Sequence, residues 1–432
     1  MTARRSSVRR RALAESRWLH LLVLAVPFLV VIAGWRGLSA SFPAFQGADE
    51  VIHYEIVRTA AEQWPRPLLG GYGAWSGPLV YWLLAALALP AGASLAAVRL
   101  VVAAFSWATC AVAYVLFRDR LGARPTDALW LSLLLAVSPF FLGQSAHVLT
   151  DNPTWFFVVL ALERCLAYVR RPVLGSIVVF ALCLAAATTM RHVSVWLVIP
   201  GLTAVACTPQ TRRVQVAGVG IVVLGLLPLA ALLAYWGGPL PPPTVGAGAV
   251  ETPVAAGYRV RNVLLSLGVV GLYAVLLLPA AELRAWWQRA LHDRSWVAVL
   301  AAAGAGAVAL AAAGALGTVT SFLTLVSRLP LPTVGGASSL LWVLIPVGAA
   351  TTAALLATRL TDAQSRVLVA ALVGVLLSAA ANPRWFQRYV DFPVLLVLAG
   401  LALAAGVALG RTDRERWLLA GVGAVASFAL LL

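Results

Sequence analysis

PTWFFVVLALERCLAYVRRPVLGSIVVFALCLAAATTMRH, residues 153–192, decides the fold. Two apolar runs, Pro153–Val169 and Val173–Met190, flank Arg170 and Arg171, and the second run closes on Arg191-His192. A helix rises 1.5 Å per residue, so roughly 17–25 apolar residues cross a bilayer. Both runs reach that length with almost no polar chain between them. They read as two antiparallel membrane-spanning helices, with an arginine pair at one water boundary and Arg191-His192 at the other.

The pattern extends in both directions. Further apolar runs lie at Leu19–Leu38, Ala93–Phe117, Ala128–Val148, Val193–Cys207, Val214–Trp236 and Val263–Ala281. Others follow at Trp296–Leu316, Leu340–Thr358, Val367–Ala381, Val390–Leu409 and Trp417–Leu432. The expected fold is therefore an all-α polytopic membrane protein with about 13 transmembrane helices. Composition agrees: 61% of the 432 residues are hydrophobic and 11% charged, against about 25% charged in soluble domains. Residues 1–432 read as one transmembrane domain, with long extracytoplasmic loops at 39–77 and 237–261.

The formal net charge of +16 suggests nucleic acid only until it is mapped. The basic residues are all arginines, and most occupy short loops, where positive charge sets topology. With a cytoplasmic N-terminus and alternating crossings, the cytoplasmic loops hold Arg118, Arg120 and Arg124; Arg170 and Arg171; Arg212 and Arg213; Arg284, Arg289 and Arg294; Arg359 and Arg366; and Arg411, Arg414 and Arg416. This parity requires Pro78–Pro90 to stop short of a full crossing, as an interfacial or half-inserted helix. The basic segment Arg4–Arg17 before the first run resembles a signal peptide; Trp18 and Trp35 flank that run as an aromatic belt would, and an uncleaved first span is expected. Cys110, Cys165, Cys183 and Cys207 form no CxxC pair and read as small buried hydrophobes.

Arg384 and Arg388, in Asn382-Pro383-Arg384-Trp385-Phe386-Gln387-Arg388-Tyr389, break the charge rule by falling outside. The same face receives Asp49, Glu50, His53 and Glu55, then Thr150-Asp151-Asn152, and Arg191-His192. Asp49 and His53 are four apart, so on a helix they share a face, while Glu50 is rotated about 100° from Asp49. Asp49, Glu50, His53 and Asp151 are the candidate catalytic residues; a solvated capping role is the plain alternative for these acids. Arg191, Arg384 and Arg388 are candidates for a phosphate, which guanidinium forks bind through paired hydrogen bonds. His192, Trp385 and Tyr389 are candidate substrate contacts. Glu50-x-x-His53 has no second metal-binding motif, so no metal and no cofactor is expected. No P-loop or G-x-S-x-G occurs either.

In their order along the chain, these motifs resemble the dolichyl-phosphate-glucose α-1,2-glucosyltransferase family. The resemblance lies in Asp49-Glu50-x-x-His53, Ser76-Gly77-Pro78-Leu79-Val80-Tyr81, Leu149-Thr150-Asp151 with Phe156-Phe157, Met190-Arg191-His192 and Asn382–Tyr389. It spans roughly Gly47 to Pro393. Two departures stand out: Tyr72-Gly73-Ala74-Trp75 lacks the family's aspartate, and His192 replaces a glutamine. The resemblance implies the GT-C architecture. It also implies inverting transfer from a polyprenyl-phosphate sugar, with glucose as the sugar and a glycan, lipid-linked oligosaccharide or protein as acceptor.

The Arg-only, Ala/Leu/Val-rich composition points to a GC-rich bacterial genome, a plasma-membrane location and a bacterial polyprenyl carrier. Mannosyl or arabinosyl transfer, and a transporter or flippase of a lipid-linked sugar, are the alternatives. Along the first loop, Val51, Ile52, Ile56 and Val57 are expected to form one apolar face lying against lipid.

Overall fold

The computed structural model describes residues 16–34, 47–72, 74, 76–239, 241, 259–278, 284, 285, 288, 292, 304, 333, 334, 337–358, 362–382 and 387–404. The basic N-terminus, the expected spans Trp296–Leu316 and Trp417–Leu432, most of the 237–261 loop, Arg384 and Trp385 lie outside these residues. The described chain is helical apart from one antiparallel pairing of Thr333–Val334 with Ala337–Ser338. Four described helical segments are long and apolar enough to cross a membrane: Leu95–Arg120, Arg212–Trp236, Val260–Leu277 and Ala363–Ala381. Several expected spans are shorter or broken, so the count of about 13 is not reproduced by length alone.

The first elements are α1 (Arg17–Gly34), α2 (Gly47–Glu62), α3 (Pro78–Ala88) and α4 (Leu95–Val115). The Ser94 hydroxyl caps α4 by accepting from the Ala97 N–H at 3.4 Å, and a π-turn, Leu116–Arg120, ends it. The expected single span Ala128–Val148 divides into α5 (Pro125–Ala136) and α6 (Pro139–Gln144). The break falls where Pro139 supplies no N–H to continue the helix. Next come α7 (Asp151–Arg170), α8 (Leu174–Met190) and α9 (Val198–Cys207), the last preceded by a 3-10 segment, His192–Leu197. Residues expected as one span at Val214–Trp236 form α10 (Arg212–Leu224) and α11 (Leu227–Trp236). Gly225 lies at their junction. A Cβ there would stand 2.9 Å from the Ala181 carbonyl oxygen, so only glycine permits this approach. The set ends with α12 (Val260–Leu277), α13 (Ser339–Thr358), α14 (Ala363–Ala381) and α15 (Asp391–Ala404).

Lipid removes the hydrophobic drive between helices, so close packing and polar contacts must hold the bundle. Both are present. A Cβ on Gly348 would lie 1.8 Å from the Leu267 carbonyl oxygen, and one on Gly271 would lie 2.1 Å from that of Leu344; α12 and α13 touch backbone to backbone. Asn152 donates to Ser106 at 2.7 Å, and Arg120 donates to Glu163 at 2.6 Å. These two bonds set α4 and α7 parallel. Ser378 meets the Val193 carbonyl at 2.9 Å, while Arg366 meets Cys207 at 3.9 Å, so α9 and α14 run antiparallel.

These contacts divide the polar groups between the two ends of the bundle. Arg120, Glu163, Arg164, Cys207 and Arg366 occupy one; Asp49, Asp151, Arg191 and Arg388 occupy the other. Helix α3 begins and finishes at the second end. The Gly77 N–H donates to the Met190 carbonyl at 2.8 Å, and the Tyr54 hydroxyl reaches Ala93, just past α3, at 3.3 Å.

Candidate active site

The first turn of α2 presents two acids to two different environments. Glu50 is fully buried, and its carboxylate takes four hydrogen bonds. Arg99 on α4 donates from Nε at 2.8 Å and from Nη2 at 2.9 Å. His147 lies 2.9 Å away through Nδ1, and the Val148 N–H donates at 2.8 Å. Burial alone would raise the Glu50 pKa; the Arg99 and His147 bonds outweigh it and hold the carboxyl at about 2. Glu50 was an expected catalytic candidate beside Asp49, but its bonds turn it into the bundle. Arg99 and His147 had no expected role. Each was an ionisable residue inside an apolar run, which is itself a signal.

The expected apolar face of α2 is corrected by the same geometry. Ile56, Val57 and Ala60 are buried with Glu50, whereas Val51 and Ile52 are exposed. The inward stripe thus includes a charged residue, because Arg99 is positioned to meet it.

Asp49 points out of that stripe and is about half exposed, at 53%. Its Oδ2 accepts from Arg388 Nη2 at 3.3 Å and Nη1 at 3.4 Å. Arg388 sits in the 3-10 turn Gln387–Tyr389, 339 residues along the chain from Asp49. Arg191, at the end of α8, pairs closely with buried Asp151 and donates to Thr150 Oγ1 at 3.3 Å. The Tyr389 ring links the two arginines. Arg191 lies 4.3 Å from its centroid and Arg388 5.4 Å, within the range where a ring face attracts a cation.

His53, one turn beyond Asp49, bonds the Tyr81 hydroxyl through Nδ1 at 2.7 Å and stacks on that ring. Burial lowers its pKa to about 4. Asp49 opposes this shift, while Arg388 and Arg191 reinforce it, so the ring is neutral at neutral pH. His192 packs against Trp236, with ring centroids 5.3 Å apart, and Trp236 donates to the Leu69 carbonyl at 2.6 Å. The structure therefore brings Asp49, His53, Asp151, Arg191, Arg388 and Tyr389 to one place, with His192 beside Arg191. No cluster of three or more potential metal-binding His, Cys, Asp or Glu side chains occurs among the described residues.

The helical bundle, with acids and guanidiniums gathered at one end, is similar to known membrane proteins. The model of the dolichyl-phosphate-mannose-protein mannosyltransferase family matches residues 76–236. The crystal structure of the apo oligosaccharyltransferase of Archaeoglobus fulgidus aligns over 96% of this chain and 54% of its own, with a TM-score of 0.51 and 15% identity. The same organism's oligosaccharyltransferase AglB, in complex with an inhibitory peptide and a dolichol-phosphate, aligns over 96% and 55%, with a TM-score of 0.52 and 14% identity. Over this alignment the chain shares the fold of these archaeal structures. It spans about half the length of these archaeal structures. The S. cerevisiae protein O-mannosyltransferase Pmt1-Pmt2 complex bound to its sugar donor aligns over 52% of this chain and 34% of its own, at 18% identity and a TM-score of 0.40. No curated protein sequence matches. The matching family model is a mannosyltransferase one, so the expectation of glucose rests on the motifs alone.

Proposed function

We propose that this protein is a membrane glycosyltransferase that moves a sugar from a polyprenyl-phosphate donor to an acceptor hydroxyl at the extracytoplasmic face. The observation that carries this reading is the contact between Asp49 and Arg388. It completes a line of alternating charge, Asp151, Arg191, Arg388, Asp49, around the Tyr389 ring. GT-C architecture and the mannosyltransferase family match over residues 76–236 support the same reaction class.

The chemistry follows from the two ends of that line. The acceptor oxygen attacks the anomeric carbon while Asp49 takes its proton. The bond from that carbon to the phosphate oxygen breaks, and inversion results. Positioned proton transfer of this kind contributes about 10²–10⁴ in rate. Negative charge grows on the departing polyprenyl phosphate, where Arg388 and Arg191 stabilise it. Arg384 joins them by sequence, although its position lies outside the described residues.

Arg191 is already matched by buried Asp151, whereas Arg388 holds Asp49 only at the long end of hydrogen-bond range. A donor phosphate therefore competes with Asp49 for Arg388. Its arrival releases the base at the moment the donor is in place.

The direct test supplies purified protein in lipid with polyprenyl-phosphate glucose, mannose or arabinose and a panel of glycan, lipid-linked and peptide acceptors. Transfer of label to an acceptor supports the reading and names the sugar. Label that crosses sealed vesicles unchanged in chemical form, with no transfer, would replace it with transport.

A further inference from the structure

The segment that carries Arg388 and Tyr389 is bonded to α12 at both ends. At its start, the Asn262 amide of α12 donates to the Asn382 carbonyl at 2.7 Å and to that of Ala379 at 3.1 Å. The Arg259 N–H adds a bond to the Ala380 carbonyl at 2.8 Å. At its finish, the Tyr273 hydroxyl donates to Asp391 Oδ1 at 2.7 Å. Asn262, Tyr273 and Asp391 are buried. A polar group buried in an apolar bundle is costly to leave unmatched, so these bonds are firm constraints. Asp391 also falls in the first turn of α15, where the helix dipole favours an acid.

Asn262 and Tyr273 stand about three turns apart on α12, so segment 382–391 meets this helix at two levels. Helix α12 is itself fixed, because its backbone lies directly against that of α13 at Gly271 and Gly348. The neighbouring contacts lead to the site. Next to Ala379, Ser378 donates to the carbonyl of Val193, just past Arg191, at 2.9 Å. Next to Asp391, Phe392 stacks on Phe141 at 4.6 Å and on Trp155 at 5.6 Å, and Trp155 lies one turn along α7 from Asp151. Between these holds, Arg388 meets Asp49 at 3.3 Å and the Tyr389 ring meets Arg191 at 4.3 Å.

We propose that Asn262 and Tyr273 are positioning residues for the donor phosphate. They fix the two ends of segment 382–391 and so set the Arg388 guanidinium and the Tyr389 ring against Arg191. A phosphate binds best to guanidiniums whose backbone is already in place, because less freedom is lost on binding. The inference rests on the transferase reading above and deepens it: the phosphate site takes its rigidity from α12.

The experiment titrates polyprenyl phosphate into wild type, Tyr273→Phe, Asn262→Ala and Arg388→Ala, and into each α12 variant combined with Arg388→Ala. Tyr273→Phe retains the ring and removes only the donor. Tyr273→Phe and Asn262→Ala should each weaken binding about threefold to tenfold. In the Arg388→Ala background the same changes should have little left to act on, and the double variants should bind within about twofold of Arg388→Ala alone. Losses of the same factor in both backgrounds would mean general loosening and overturn the proposal. So would unchanged affinity in Tyr273→Phe. If Tyr273→Phe does not fold, Asn262→Ala decides by the same comparison. If Arg388→Ala binds too weakly to titrate, single-turnover transfer rates of the same proteins are compared by the same rule. A wild type that neither binds polyprenyl phosphate nor transfers from any donor sinks the transferase reading and this proposal together; a binding wild type with unimpaired variants sinks this proposal alone.

Discussion

Asp49 and Glu50 are neighbours in sequence, and each faces an arginine, yet the two pairs are built differently. Glu50 and Arg99 are both fully buried and joined by two bonds, with His147 and Val148 completing the carboxylate's shell. Asp49 and Arg388 meet at 3.3 Å, with Asp49 53% exposed and Arg388 20% exposed. A buried pair with every lone pair satisfied holds structure, because either partner alone would be stranded in low dielectric. An exposed, single-oxygen contact contributes little and exchanges readily. One helical turn thus carries a buried anchor and, in the proposed reaction, the base, and the 100° between adjacent residues separates them.

The largest effect should come from stranding the anchor. Glu50→Ala leaves Arg99 buried without its carboxylate, which by analogy with broken buried pairs costs about 3–5 kcal/mol. Asp49→Ala should change stability by less than about 1 kcal/mol. Thermal unfolding of the two variants in one lipid mixture checks this. Equal losses would break the distinction.

Next in size is the arginine on the exposed side. Arg388→Ala should lower the transfer rate by about 10²–10³ and weaken binding of polyprenyl phosphate, while the protein stays folded. Arg99→Ala should do the reverse, lowering the yield of folded protein with normal affinity per folded molecule. Titration with polyprenyl phosphate separates the two; unchanged affinity in Arg388→Ala removes its phosphate role.

The apolar, all-helical character was legible because apolar length is a one-dimensional property, but which runs keep the length to cross a membrane was not. The meeting of Asp49 with Arg388 was legible only as a shared face; the contact itself depends on packing. The roles of Arg99 and His147 were missed because each sits alone in an apolar run, and hydropathy averages a single charge away. The break at Pro139 was missed for a related reason: apolar content says nothing of whether a helix continues. Ile56 and Val57, expected on one lipid-facing surface with Val51 and Ile52, are buried with Glu50 instead, because the Arg99 partner draws that side of α2 inward.

A smaller effect appears in pH. Burial lowers the His53 pKa from 6.5 to about 4, so between those values the unfolded chain binds more protons and stability falls with falling pH. Glu50, lowered from 4.5 to about 2, contributes stability that is present above 4.5 and lost as pH drops toward 2. Wild type should therefore lose stability from about pH 6.5 downward. His53→Gln should show a shallower slope between about pH 6.5 and 4. Unfolding midpoints across that range check this, and an unchanged slope would mean that His53 is not held neutral by its surroundings.

The central claim is that the exposed acid, not its buried neighbour, takes the acceptor proton. Asp49→Asn keeps the size and most of the hydrogen bonding of the side chain while removing its basicity. The decisive measurement is single-turnover transfer by Asp49→Asn, with polyprenyl-phosphate binding and unfolding temperature recorded on the same preparation. Wild-type folding and near-normal donor binding are expected, with transfer reduced by about 10²–10⁴. Near-normal transfer by Asp49→Asn would contradict that claim and turn attention to Asp151.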